Sequence, residues 1–451
     1  MNAKYTHRGE LLKALNFQRA AFETSPLPEH RFRLCELLYQ AGSFWEAWQL
    51  IQPLLQEPPQ PPAASLAANL AYLLGRYIEA ERILLERIPL ERIPLELIPQ
   101  QADDPAALLQ SELKLLLTYY QTGRYDRAHS LFKGQQNQVA LPLWEQMKSF
   151  ENPPFQVDWQ GQQHAEVNFL ITDPLPIIQV ELQGKLIFVL IDTGGDNLYL
   201  DNEYADELGI QPVASAKGTF GGGKQAEIGF ARGRELRLGG VTLDPVPVTI
   251  LPTQRWSKGF ADGKYTIGGV VGTGILRQFL ATMDYPAGQL LLQPRNWNGT
   301  QITQPALDDS KGAWLAFVLH STHAMMAKGS LNGFEDLTFF VDSGLAMQAS
   351  LAAPQQTLEY TGIALPETTI NEDSIGGGGE GLWATGLFPI QHLGLGSLVQ
   401  QNVQGEYGSL TPETYWRNGF IQDGLISHSF LRQFRWTLDF DRMQYYFEKP
   451  D

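Results

Sequence analysis

Twice in this chain an apolar run drives straight into Asp-(Thr/Ser)-Gly. The first copy is Phe188-Val189-Leu190-Ile191-Asp192-Thr193-Gly194, and the second is Leu337-Thr338-Phe339-Phe340-Val341-Asp342-Ser343-Gly344. Apolar runs of this length read as buried strands. An isolated ionised carboxylate is costly to hold in an apolar site, so a buried strand that ends on one needs a partner for it. Two such strands in one polypeptide point to a fold in which the two carboxylates meet.

Around these two points the chain repeats itself. Residues 163–300 and 311–451 share a series of features in one order. A strand, Ile177 to Leu182, turns at Gln183-Gly184 into Lys185 to Ile191. Its expected counterpart is Trp314 to Leu319, followed by a longer loop, a turn at Asn332-Gly333 and the strand Leu337 to Val341. Glycine runs follow each Asp motif, Gly221-Gly222-Gly223 and Gly376-Gly377-Gly378-Gly379. Next come Leu236 to Val241 and Leu393 to Leu398. Last, Gly269-Val270-Val271-Gly272 leads to Leu276-Arg277-Gln278-Phe279, and Gly424-Leu425-Ile426-Ser427 leads to Leu431-Arg432-Gln433-Phe434. The period-two alternation and dense glycine of this half predict short strands.

The first third has a different texture. Residues 8 to about 134 are rich in Leu, Ala, Glu, Gln and Arg and lack strand alternation, which predicts helix. Gly42-Ser43-Phe44-Trp45-Glu46-Ala47 recurs as Gly75-Arg76-Tyr77-Ile78-Glu79-Ala80 and as Gly123-Arg124-Tyr125-Asp126-Arg127-Ala128. Glycine suits a tight turn between helices, the aromatic fills the groove, and alanine lets the helices approach. The spacing of the first two copies resembles that of tetratricopeptide repeats, whose concave face usually binds a protein partner. The pentamer duplication from Glu86 to Leu95, with Pro89 and Pro94, reads as an inserted loop, and Pro58, Pro59, Pro61 and Pro62 as a second break. Residues 1–150 are thus expected to be helical hairpins. A linker is expected to follow, at 151–162 and reaching back toward Trp144.

Residues 163–449 resemble two-lobed aspartic peptidases of the pepsin and retropepsin clan, closest to the retropepsin-like bacterial kind. The resemblance rests on apolar-apolar-Asp-(Thr/Ser)-Gly, a flap hairpin and apolar-apolar-Gly, once per lobe. It implies a multidomain α + β chain: helical repeats, then a bilobal all-β acid-protease-like domain with pseudo-twofold symmetry. It implies that Asp192 and Asp342 are catalytic, and that Thr193 and Ser343 tie the two loops together while Gly194 and Gly344 leave room beside the carboxylates. It places flap tips at Lys217 to Lys224 and Ser374 to Trp383, with Gly221, Gly222, Gly223, Gly377, Gly378 and Trp383 covering a bound peptide. The chain departs from the family once, with Ser427 where the family has a glycine close under the catalytic loop. A serine there is expected to crowd or retune the site.

The chemistry needs these residues. Two like charges about 3 Å apart at an effective dielectric near 20 repel by roughly 5 kcal/mol. One carboxyl of such a pair therefore stays protonated over a wide pH range. The ionised partner takes a proton from water, and the protonated one polarises the scissile carbonyl. No cofactor or metal is required. Peptide or protein is the expected substrate, and a single chain supplies both aspartates without a dimer. Two other readings start from the same residues: a peptide-binding protein that lost turnover, motivated by Ser427, and an adaptor whose helical repeats do the work.

Totals narrow the alternatives. With 33 basic and 49 acidic residues the net charge is −16, which disfavours nucleic acid and anionic membranes as partners. Cys35 is the single cysteine, expected to be a small buried residue on a helix, so neither a disulfide nor a cysteine zinc site is available. No apolar run reaches the ~18 residues of a membrane span. The start has no signal-type segment, so the chain reads as cytoplasmic as written, or periplasmic or secreted if a signal peptide was trimmed. Gly218 to Gln225 almost spells a phosphate-binding loop but ends in Gln where Ser or Thr is needed. His320 and His323 read as surface or loop histidines, no sequence cue supplies an orienting acid or oxyanion hole for His428 between Ser427 and Ser429, and Asp284 and Asp439 read as turn residues.

Overall fold

The computed structural model describes residues 5, 7–56, 61–87, 105–131, 138–219, 225–295, 312–370 and 384–448. Among the described residues its first part is a row of eight α-helices: α1 (Arg8–Thr24), α2 (Pro28–Gln40), α3 (Phe44–Ile51), α4 (Pro61–Leu73), α5 (Tyr77–Arg87), α6 (Pro105–Gln121), α7 (Tyr125–Leu131) and α8 (Leu141–Lys148). Three of the turns are built alike. Gly42, Gly75 and Gly123 all have positive φ, at 79°, 70° and 67°. The residue after each donates its N–H five residues back, Ser43 to Leu38, Arg76 to Ala71 and Arg124 to Tyr119. This closes the helix end in the way that favours glycine at that position. Ala47, Ala80 and Ala128 are fully buried, which lets each following helix approach the one before it. The expected second break falls before α4, whose first turn holds Pro61 and Pro62, where proline is tolerated, while Pro58 and Pro59 lie outside the described residues. Residues 88–95 of the pentamer duplication lie outside the described residues. Cys35 is buried on α2.

The β region forms two extended sheets. One has ten strands from residues 156–271. The other has thirteen, and it runs from the second lobe back into the first. The junction is an antiparallel pair, Phe279–Asp284 against Arg435–Asp439, with Thr282 opposite Thr437. The hydroxyls of that pair are hydrogen-bonded at 2.7 Å. The strands leading to the Asp motifs are both central. Lys185–Ile191 pairs parallel with Ile267–Val271, and Phe334–Val341 pairs parallel with Gly424–Ile426. Strands buried on both faces need continuous apolar sequence, which is why both read as unbroken runs.

Two sequence expectations are corrected. The residues 320–331 expected to be a longer loop hold a strand, Ala324–Leu331, which is the antiparallel partner of Phe334–Val341. It, and not Trp314 to Leu319, occupies the place of Ile177–Leu182. The longer strand Gly312–His320 pairs through its first half with Gln444–Glu448 and through its second with Ala324–Leu331. Ala-Met-Met-Ala-Lys-Gly-Ser-Leu contains no β-branched residue, so its strand character comes from packing and not from propensity. The expected linker also carries structure: Gln156–Asp158 pairs with Val241–Asp244, and Trp144 lies within α8. Three residues are too few to show a period.

The helices lie on the β region and touch both lobes. Arg8 forms a buried ion pair with Asp423, and its Nη1 donates to Ala41 O at 3.1 Å. At the other end of the row, Gln146 of α8 donates to Ala231 O and Val248 O at 2.8 and 3.0 Å, both in the first lobe. One apolar core joins Leu38, Trp48 and Tyr72 of the helices to Val318, Met326 and Phe420 of the second lobe. No described helix is long and apolar enough to cross a membrane.

Candidate active site

Each Asp motif begins where its strand stops pairing. Asp192 N–H donates to Val271 O and Asp342 N–H to Ile426 O, both at 3.0 Å, so the two loops leave their sheets at equivalent points. The loops then lock onto each other. Thr193 N–H donates to Ser343 Oγ at 2.9 Å, and Ser343 N–H donates to Thr193 Oγ1 at 3.0 Å. Thr193 Oγ1 in turn donates to Val341 O at 3.3 Å. Thr193 and Ser343 are both fully buried. A buried N–H left without an acceptor costs ~1–3 kcal/mol, so this exchange holds the loops in one register.

The carboxyl groups of Asp192 and Asp342 meet at the seam, each lying against the glycine of the other's loop. Gly194 N–H donates to Asp192 Oδ1 at 2.6 Å, and Gly344 N–H donates to Asp342 Oδ1 at 2.9 Å. The glycines are required here. A Cβ on Gly194 would lie 2.6 Å from Asp342 Oδ1, and one on Gly344 would collide with the Asp192 carboxylate. Burial raises the pKa of both carboxyls. Asp342 is pushed well above the usual range, first by burial and then by the charge of Asp192 beside it. At Asp192 burial is opposed first by the Gly194 N–H. Two buried carboxyls this close do not both ionise, and the proton between them belongs to the pair.

Ser427 is accommodated by a difference between the lobes. In the first lobe a Cβ on Gly272 would sit 2.6 Å from Asn197 O and 2.8 Å from Gly195 O. In the second, the chain takes a longer path from Asp342 to its next strand, Leu351–Ala352, than from Asp192 to Leu198–Leu200. Ser427 Oγ fits into that path and donates to Ala349 O at 2.5 Å. The expected crowding is thus taken up by the loop. Ser429 Oγ donates to Met347 O, and the His428 ring faces Asp173 at 3.4 Å. The three side chains point to separate partners, which disposes of a nucleophile pair.

The glycine-run expectations can be placed only in part. Gly221, Gly222, Gly223, Gly377, Gly378 and Trp383 lie outside the described residues. The arms that lead to them are described: Ala214–Thr219 pairs with Gln225–Gly233, and Thr369–Ile370 with Ala384–Leu395. No helix follows Gly218 to Gln225, as a phosphate loop would need. Asp284 and Asp439 do accept turn N–H groups, from Ala287 and from Asp441 and Arg442. Among the described residues no His, Cys, Asp and Glu cluster could hold a metal ion.

The sequence reading missed or misplaced several residues near the pair. Thr273 Oγ1 donates to Thr193 O at 2.9 Å and braces the first loop from below. Its place directly after Val270-Val271-Gly272 was the available clue. His323 is a correction. It is half-buried at the seam between lobes and helices, its pKa lowered by burial against the opposing charges of Asp196 and Asp192. His320, also half-buried, is lowered to about 3, mainly by burial. Neither is an exposed loop residue, because α4 and α6 cover the turn between them.

A search of the curated proteins returns no match. Among solved structures, the crystal structure of a retropepsin-like aspartic protease from Rickettsia conorii is similar at 14% identity. The alignment covers 31% of this chain and 94% of that one, with a TM-score of 0.21. A family model described as aspartyl protease matches residues 178–277. That span holds the strand pair, Asp192-Thr193-Gly194, the arms of the first glycine-tipped hairpin and Gly272.

Proposed function

We propose that this protein is an aspartic endopeptidase that hydrolyses peptide bonds with a water activated between Asp192 and Asp342. The observation that carries the reading is the meeting of the two carboxyls, each held by its own loop glycine and lying against the glycine of the other loop. The ionised carboxyl of the pair takes a proton from the water, whose oxygen attacks the scissile carbonyl carbon. The protonated carboxyl donates its hydrogen bond to the carbonyl oxygen. The carboxyl that took the water's proton passes it to the leaving nitrogen as the C–N bond breaks, which returns the pair to one shared proton. The family match over residues 178–277 supports the same chemistry.

On this reading residues 163–300 and 311–451 are two lobes related by a pseudo-twofold axis through the Asp pair. The two hairpins whose arms are Ala214–Thr219 with Gln225–Gly233, and Thr369–Ile370 with Ala384–Leu395, are flaps that close on an extended peptide. The helical domain, tetratricopeptide-like in its turns, is a platform for a substrate or partner. The test is a peptide library incubated with the native chain and with Asp192→Asn between pH 3 and 8. Cleavage is expected from the native chain alone. Equal cleavage by both, or none by either, overturns the assignment.

A further inference from the structure

Lys328 stands in the strand Ala324–Leu331, two residues beyond Met326 and so on the face that meets the helices. Its ammonium gives hydrogen bonds to three uncharged acceptors: Thr338 Oγ1 at 2.9 Å, Asp336 O at 3.0 Å and Ala41 O at 3.3 Å. The longest of these is shared, because Arg8 Nη1 donates to the same Ala41 O at 3.1 Å. Two cations therefore meet on one carbonyl. Asp423, the buried carboxylate that accepts the Thr338 N–H, is already paired with Arg8. Glu46, in the first turn of α3, is taken by Arg19. A charge held out of water without a counterion is costly. Burial, and then the charge of Arg8, lower the Lys328 pKa to about 7 against the opposing charges of Asp423 and Asp336.

Lys328 also borders an open cavity of about 210 Å³ between the α2–α3 turn and the second lobe. The turn lies directly on the ammonium: a Cβ on Gly42 would sit 2.9 Å from Lys328 Nζ. Most of the lining is apolar. Val318 and Met326 come from the sheet and Phe44 from α3, all buried, with Trp45 51% exposed beside them. Two hydroxyls in the lining can still donate. Thr338 Oγ1 accepts from Lys328 and keeps its own proton, and Ser43 makes no side-chain cap for α3. We propose that this cavity binds a small apolar carboxylate, whose head takes one ammonium proton of Lys328 and the Thr338 hydroxyl proton while its body lies on Val318, Met326 and Phe44. The ammonium proton is the one now given to Ala41 O, which Arg8 continues to satisfy. Apolar walls with a few placed polar groups, at a boundary between domains, suit a small ligand, and the unbalanced positive charge selects an anion over a neutral molecule of the same shape. The site is separate from the Asp pair and does not depend on the peptidase reading.

The test titrates the full chain with phenylpropionate and with its neutral amide, by calorimetry at pH 6, where the ammonium is charged. The acid is expected to bind about tenfold more tightly than the amide, or better, as a charge-assisted hydrogen bond requires. Lys328→Met should bring the two ligands within about twofold of each other. Ala316 is exposed and lines the cavity, so Ala316→Trp should fill it and abolish binding of both while Lys328 stays in place. Melting curves establish that each variant is folded. Equal affinity of the native chain for acid and amide overturns the proposal, and so does a lack of acid binding up to about 10 mM. A preference for the acid that survives in Lys328→Met overturns it as well. Should Lys328→Met not fold, Ala316→Trp decides alone: undiminished acid binding by that variant places the ligand elsewhere, and lost binding, with slower amide exchange at residues 42–46 when the native chain is loaded, supports the site.

Discussion

Thr193 and Ser343, 150 positions apart in sequence, each accept the other's backbone N–H on the side-chain oxygen, at 2.9 and 3.0 Å. This reciprocal exchange is what makes two separate loops into one site. Thr193→Val keeps the shape and removes the acceptor for the Ser343 N–H, while the Thr193 N–H keeps its own. The expected cost is about 1–3 kcal/mol of stability, the range for a buried donor left unpaired. Activity should fall further than stability, because the carboxyls lose their fixed separation. Denaturant titration and kcat/KM on one peptide check this. A variant as stable and as active as the native chain would refute the role given to the exchange.

Ser427→Gly separates crowding from packing. The Ser427 hydroxyl is used up by Ala349 O and does not face the carboxyls. Removing it should cost about 1–2 kcal/mol, from the lost hydrogen bond and the added freedom of glycine in the unfolded chain. It should leave kcat/KM within about twofold. A large gain in activity would show that the serine does restrain the site.

Asp342→Asn tests the raised pKa of this carboxyl. A carboxyl whose folded pKa is raised binds more protons in the folded state than in the unfolded one. Its contribution is complete below the ordinary value of 3.8 and is lost as pH rises through the folded pKa. Stability of the native chain should therefore decline across that window, which opens near pH 3.8 and extends upward. The neutral amide is free of that loss. Asp342→Asn should melt higher than the native chain at pH 7 and alike near pH 3, while losing turnover. Matching melting curves at pH 7 would contradict the raised value.

Arg8→Met examines how the helices are held. Arg8 and Asp423 are 2% and 0% exposed, and Asp423 Oδ2 also accepts the Thr338 N–H at 2.7 Å. Removing one partner of a buried pair leaves an uncompensated charge, at a cost of about 3–5 kcal/mol. Loss of the helical row should appear as faster proteolysis within residues 1–150. A loss under about 1 kcal/mol would mean that apolar contacts alone seat the helices.

Much of this arrangement is local and could be read from residues in order. Asp192 and Asp342 announced themselves because each ends an apolar run. Gly42, Gly75 and Gly123 marked helix ends because a left-handed residue is needed there. Gln183-Gly184 and Asn332-Gly333 marked tight hairpins for the same reason, with φ of 49° and 83° in one and 49° and 87° in the other. These features depend on a residue and its near neighbours, so they survive without coordinates. Contacts between distant segments decided the rest. Ala324–Leu331 is a strand because Phe334–Val341 lies beside it. Ser427 is tolerated because the path from Asp342 to Leu351 is longer than its counterpart. His323 is half-buried, and Arg277 is covered where Arg432 is exposed, because the row of helices packs beside the one and not the other. Sequence period reports which face of an element is apolar, but not which surface it will meet, and that choice is made only when the whole chain packs.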